Sequence, residues 1–298
     1  MVDVHQHAVP LAIAKLRGGT NARDWDIKKV MSDIEESGVT LAFNSVSGAT
    51  WAGMPGPPQS AARLFNDFAA KVSSDHPAKF GCWAILPLPD IDATLKEITY
   101  ALDVLKMDGV QLITSYEKKW LGDAVFVPVF EELNRRKAVV FLHGSVNQCC
   151  NGLMPGVPAS SLEVPTDTTR TVISMVYAGT LMKFPDVRII VNSGGGSLPM
   201  LAHRIEELTP PNPTTVPNGI ENELKKFYYD ISTVINPPAM AALMKLVPAS
   251  QIVFGSDYPG TPMKEAVENL HNLRLSAADQ KAIERENVAK MLPRARRT

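Results

Sequence analysis

The sequence predicts an α/β fold of the TIM-type (β/α)8 barrel kind. Three observations carry this. Eight short β-branched or apolar runs recur along the chain, longer segments of helical period separate them, and no Pro/Gly/Ser linker divides the 298 residues. Parallel βα units give that alternation, and the length suits one barrel domain over 1–298. An open doubly wound sheet uses the same units and is the alternative.

The elements follow in order. A strand at 2–5 (VDVH) opens the chain, and the amphipathic stretch 25–37 precedes the strand 39–45 (VTLAFNS). Helical period at 60–74 leads to the strand 79–86 (KFGCWAIL), and 91–106 leads to 108–114 (DGVQLIT). The stretch 123–135 precedes 137–143 (KAVVFLH). Helices at 166–183, 197–208 and 237–247 alternate with strands 187–193 (VRIIVNS), 227–232 (FYYDIS) and 251–256 (QIVFGS), and helices at 263–273 and 277–291 finish the chain. Gly, Pro or a capping residue bounds the helical stretches. Two connections are long, 46–59 and 144–165, and both follow strand C-termini, where a barrel places its site and lid. The Pro-rich 209–217 reads as a surface excursion.

Composition excludes several classes. Thirty basic residues balance 31 acidic ones for a net charge of −1, which leaves no electrostatic footprint for nucleic acid or an anionic membrane. No apolar run reaches the ~18 residues of a membrane helix. Cys82, Cys149 and Cys150 are odd in number and two are adjacent, a poor disulfide framework. The expected setting is therefore reduced and cytoplasmic, and the start Met1-Val2-Asp3-Val4-His5 lacks the pattern of a signal peptide.

Four residues point to a metal. His5 and His7 are two apart on a strand end, so both imidazoles face the same way. His143 closes the apolar run Val139-Val140-Phe141-Leu142, and Asp257 follows Ile252-Val253-Phe254-Gly255-Ser256. On a barrel these groups sit at the C-terminal ends of strands one, five and eight, and strands one and eight become neighbours on closure. Each has a bland reading as a buried polar group satisfied by a loop. Jointly, three imidazoles and a carboxylate suit one divalent ion, Zn²⁺ first and Mn²⁺ second, with a position open to water or substrate.

With these residues go the segment Gly144 to Thr169, the stretch Gly194-Gly195-Gly196-Ser197-Leu198-Pro199 with Arg204-Ile205-Glu206, the run Tyr228-Tyr229-Asp230, and Gly255-Ser256-Asp257-Tyr258-Pro259. Together they resemble the amidohydrolase-related (amidohydrolase 2) decarboxylases, the family of aminocarboxymuconate semialdehyde, 6-methylsalicylate and γ-resorcylate decarboxylases. The resemblance runs from residue 2 to about 292. It implies a barrel with one divalent metal on the residues matching His5, His7, His143 and Asp257, and non-oxidative loss of CO2 from a small aromatic or unsaturated acid. It also implies a homodimer. In such a reaction the metal binds the substrate carboxylate, or the carboxylate and an adjacent hydroxyl, the ring carbon is protonated before CO2 departs, and Asp257 is the proton carrier.

One position departs from the family. A histidine usually precedes the Gly-Gly stretch at the end of strand six, and here Ser193 stands in its place. Serine hydrogen-bonds but lacks the basicity of a group titrating near neutrality. Three readings compete: a divergent carbon–carbon lyase in which Asp257 and Ser193 serve catalysis, a metal-dependent hydrolase of an ester, lactone or amide, and a non-catalytic or metal-free binding protein. Trp51, in the loop after strand two, either stacks on the substrate or caps the barrel rim. Arg204 either pairs with the substrate carboxylate or bridges to Glu206 or Glu207. Asp230 either orients a ligand or binds backbone. His76, His203 and His271 read as loop or exposed helix residues. Gly194 to Gly196 lacks the spacing of a dinucleotide fingerprint.

Overall fold

A computed structural model of the chain describes residues 1–8, 25–48, 51, 57–150, 152–210 and 212–297. Half of the expected long connection 46–59 lies outside the described residues. Eight strands pair in sequence order, all parallel: β1 (Val2–His7), β2 (Leu41–Ser45), β3 (Phe80–Ile85), β4 (Gly109–Ile113), β5 (Val139–His143), β6 (Arg188–Val191), β7 (Tyr228–Asp230) and β8 (Ile252–Val253). Closure between the last and first strands is made by the chain beyond Val253. Val4 N–H donates to Phe254 O at 3.0 Å, Asp257 N–H to His5 O at 2.8 Å and His7 N–H to Tyr258 O at 2.7 Å. The barrel is therefore expected and found, and the doubly wound alternative falls because such a sheet keeps two open edges.

Helices α1 (Ile27–Ser37), α2 (Pro58–Asp75), α3 (Ile91–Thr99), α4 (Val127–Arg135), α5 (Ala159–Ala178), α6 (Leu198–Leu208), α7 (Pro237–Leu246) and α8 (Met263–Asn272) flank the barrel. Local chemistry starts several of them. Asp26, Asp90 and Asn236 accept from backbone N–H groups of the first turns of α1, α3 and α7, contacts worth about 0.5–2 kcal/mol each.

Two expectations change. The connection 144–165 is not loop throughout, because α5 begins at Ala159 and continues through Pro165. Proline inside a helix costs about 3 kcal/mol, so Pro165 reads in the sequence as a boundary. Tertiary packing holds the turn instead. A Cβ on Gly144 would lie 2.5 Å from Val164 Cγ1, so the glycine is what lets α5 close onto the end of β5. A short hairpin, Ser115–Tyr116 against Lys119–Trp120, also follows β4. The buried Asp167 of α5 ties it down, accepting from Thr114 Oγ1, Ser115 Oγ and Trp120 Nε1 at 2.6–2.8 Å.

The interior is apolar up to the mouth. Val2, Val4, Phe43, Trp83, Phe141, Ile190 and Val253 fill it, and Val288, Met291, Leu292 and Ala295 of the C-terminal segment plug its floor. Arg294 pins that plug through Asp108 at 2.8 Å. Cys82, Cys149 and Cys150 are all free thiols. Among the described residues no helix is long and apolar enough to cross a membrane.

Candidate functional site

Strand β1 pairs Asp3 with Ala42 but Gln6 with Asn44, so it spends one more residue than β2 over the same span. That bulge reverses the side-chain alternation. Val4 and His5 within it and His7 beyond it consequently all serve the interior. Trp83 Nε1 donates to the carbonyl of Val4 inside the bulge at 2.9 Å. Asp3 closes it from outside, accepting from His5 N–H at 2.9 Å and from the Ser256 N–H at 3.0 Å. Burial pushes the Asp3 carboxyl up to about 6 against these hydrogen bonds.

One ligand atom from each of His5, His7, His143 and Asp257 lies within 4.8 Å of the others. Phe141 packs against the His5 ring at 4.9 Å, with Trp83 and Phe43 stacked beneath, so the cluster rests on an apolar aromatic floor. Asp257 and Ser193 hold left-handed backbone, φ 62° and 51°, at the ends of β8 and β6. Such strain at non-glycine residues persists where surrounding contacts enforce it.

Every imidazole of the cluster has its Nδ1 spoken for. His5 Nδ1 lies 3.0 Å from Asp230 Oδ2, and a carboxylate can only accept. His143 Nδ1 lies 2.7 Å from the carbonyl of Gly144, again an acceptor. Ser45 Oγ gives its own proton to Gln6 O at 2.8 Å and therefore accepts from His7 Nδ1 at 3.0 Å. All three Nε2 atoms then face the centre. His7 Nε2 is 3.0 Å from Asp257 Oδ1 and 3.4 Å from His143 Nε2. His5 Nε2 is 3.4 Å from Asp257 Oδ1, within ion-pair reach, yet it is buried with no hydrogen-bond partner. Three converging imidazole nitrogens and a carboxylate on an apolar floor, one nitrogen orphaned, fit a divalent cation held by three nitrogens and one oxygen once His5 gives up its proton.

Charge follows the same geometry. Burial drives His7 down and His143 well down, and His5 adds to the effect on both; at His7 the adjacent Asp257 carboxylate only partly opposes it. Burial would lower His5 too, but the charge and hydrogen bond of Asp230, with Asp257 and Asp3, outweigh it and raise His5 to about 9. Burial would raise Asp257, but the close imidazoles of His7, His5 and His143 outweigh it and bring it to about 2.

The remaining predicted residues are spread more widely. Ser193 is 8% exposed at the end of β6 and donates its N–H to Asp230 Oδ1 at 3.2 Å. Trp51 is half-buried and packs against the hydrophobic layer between strands and helices. Arg204 is exposed on α6 and has no ion pair among the described residues, with Glu206 and Glu207 included. A cavity of about 450 Å³ opens beside His7 between α1 and α8, bordered by Trp25, Lys29, Asp33, Tyr258 and Met263. Ser45, Ser232 and Asp3 were not singled out from the sequence. Strand parity was the available signal for Ser45, which alternates with the inward Phe43.

The amidohydrolase family matches residues 2–294 of this chain. A decarboxylase of Aspergillus niger, yanB, is 32% identical and covers 98% of this chain and 87% of its own length. The 6-methylsalicylic acid decarboxylase acuB of Aspergillus aculeatus is 31% identical, over 99% of this chain and 97% of its own. In the solved structures, 5-carboxyvanillate decarboxylase of Novosphingobium aromaticivorans, complexed with manganese and 4-hydroxy-3-methoxy-5-nitrobenzoic acid, matches with a TM-score of 0.84 at 16% identity, over 97% of this chain and 95% of that one. At that identity the likeness is one of fold.

Proposed function

The chain belongs to the amidohydrolase family, and from that premise we propose that it is a metal-dependent non-oxidative decarboxylase, a carbon–carbon lyase for a small aromatic or unsaturated carboxylic acid. The observation that carries the reading is the convergence of His5, His7, His143 and Asp257 in a chain whose full-length relatives are named decarboxylases. A divalent ion on those four residues, Zn²⁺ or Mn²⁺, would supply Lewis acidity and a template for the substrate carboxylate.

The chain's own groups do the rest. Asp257 is the most exposed member of the cluster, with 28% of its side chain open, so it is the one placed to meet substrate. Ionised in the free site, it takes up a proton from solvent and passes it to the ring carbon that bears the carboxylate; that C–H bond forms, the C–C bond to the carboxylate breaks with its electron pair returning to the ring, and CO2 leaves. The aromatic floor of Phe141, Trp83 and Phe43 keeps water from beneath the reacting carbon. Ser193 contributes hydrogen bonds and no base. Trp51 offers an aromatic face to the acid, and Arg204 offers a guanidinium with no carboxylate paired to it among the described residues. A cavity of about 450 Å³ is within the range that small ligands occupy. The proposed assembly is a homodimer, which sedimentation separates from a 32.4 kDa monomer.

The test is CO2 release by the Zn²⁺- or Mn²⁺-loaded protein from a panel of hydroxybenzoates that includes 6-methylsalicylate. Turnover lost in Asp257→Ala supports the reading. No release from any acid at full metal loading overturns it, and solvent ¹⁸O entering a product acid moves the protein to hydrolysis.

A further inference from the structure

We infer that Asp230, braced by Ser193 and Ser232, is a positioning residue that sets the His5 imidazole for the metal. The inference rests on the metal reading above and adds residues outside the four ligands. Among the three histidines only His5 has a charged partner at Nδ1: His7 meets a hydroxyl and His143 a carbonyl, whereas Asp230 Oδ2 sits 3.0 Å from His5 Nδ1. Both side chains are buried, with 2% and 0% exposed, so the pair is unscreened by solvent.

The carboxylate is locked from its other side. Asp230 Oδ1 accepts from Ser232 N–H at 2.8 Å and from Ser193 N–H at 3.2 Å, donors from the ends of two neighbouring strands. Ser193 reaches that position through its left-handed backbone. Its hydroxyl accepts from Asn192 Nδ2 at 3.1 Å and lies 3.4 Å from Ser232 Oγ, which in turn is 3.0 Å from His5 Nδ1. Two polar groups therefore fix the His5 ring on its far edge, and the orphaned Nε2 has one direction left, toward the cluster. Gly255 makes the room: a Cβ there would stand 2.9 Å from His5 Cβ and 3.1 Å from Asp230 Cγ. A carboxylate behind a ligating imidazole fixes its tautomer and raises its basicity, and loss of such a partner weakens metal binding about 10–100-fold. On this geometry the place of the family's strand-six histidine is taken by a brace for the ligand shell.

The experiment measures the dissociation constant of Zn²⁺ alone by competition with a chromophoric chelator, with thermal unfolding of the metal-free proteins beside it. Asp230→Asn is expected to weaken Zn²⁺ about 10–100-fold. Ser193→Ala, which keeps the backbone donor, should stay within about threefold, and His143→Ala reports on the metal site itself. A merely structural Asp230 would lower metal-free stability and leave the Zn²⁺ constant of the folded protein unchanged, and that result overturns the inference. If His143→Ala also binds as wild type does, it is the metal reading that fails. Should Asp230→Asn not fold, Ser232→Ala carries the test, with a several-fold loss expected and unchanged affinity counting against the brace.

Discussion

His7 and His143 turn their Nε2 atoms toward each other at 3.4 Å, and each has already committed its Nδ1 proton elsewhere. Two neutral imidazoles in that arrangement present lone pair to lone pair, which is unfavourable in a dry pocket unless a cation lies between them.

Proton release on metal binding follows from this arrangement. His7 and His143 are held below their usual values and are neutral near pH 7.5, Asp257 at about 2 is ionised, and His5 at about 9 is protonated. His5 must lose its proton to ligate, so Zn²⁺ binding releases about one proton from the protein and its affinity rises about tenfold per pH unit from 7 toward 9. Calorimetry in buffers of different ionisation enthalpy measures the count. A pH-independent affinity would contradict the assignment.

On the proposed reading Asp257 has two duties, ligand and proton carrier, and replacing it separates them. Asp257→Asn, assayed at metal saturation, is expected to lower kcat by about 10²–10⁴, the usual contribution of a positioned acid or base. Metal occupancy should be recoverable by raising its concentration. Full activity in the loaded variant would remove Asp257 from the proton transfer.

Ser193 has no group that titrates near neutrality. The pH profile of kcat in Ser193→Ala should therefore keep the wild-type shape, with a kcat loss within about tenfold. Disappearance of one limb of the profile would show that the hydroxyl belongs to a proton relay after all.

The C-terminal plug makes a stability prediction with a defined pH dependence. Burial holds the Asp108 carboxyl above its usual value, and Arg294 offsets that only in part. An acid whose folded pKa exceeds its unfolded one favours folding below the unfolded value and loses that favour as pH rises through the folded value. Arg294→Ala removes the offset and leaves a buried carboxylate short of a partner, a cost of about 1–3 kcal/mol at pH 7 that shrinks toward pH 4 as Asp108 takes up a proton. Urea unfolding at the two pH values measures it. A deficit equal at both would mean that Arg294 acts by packing alone.

The sequence by itself determined the barrel and the three strand ends that carry the four candidate ligands, because apolar alternation and helical period are local properties and His5, His7, His143 and Asp257 lie at the ends of identifiable runs. It also put Ser193 where the resemblance leads one to expect a histidine. The tertiary structure decided what these residues do to one another. Only the bulge between Asp3 and Gln6 brings Val4 and His5 together into the interior, and its register depends on β2. Only packing against Gly144 carries α5 through Pro165. The partners that set the three imidazoles, Asp230, Ser45 and the Gly144 carbonyl, come from separate strand ends; His5 and Asp230 are 225 residues apart. Hydrogen-bond partners across such separations are chosen by barrel closure, and no local pattern encodes them.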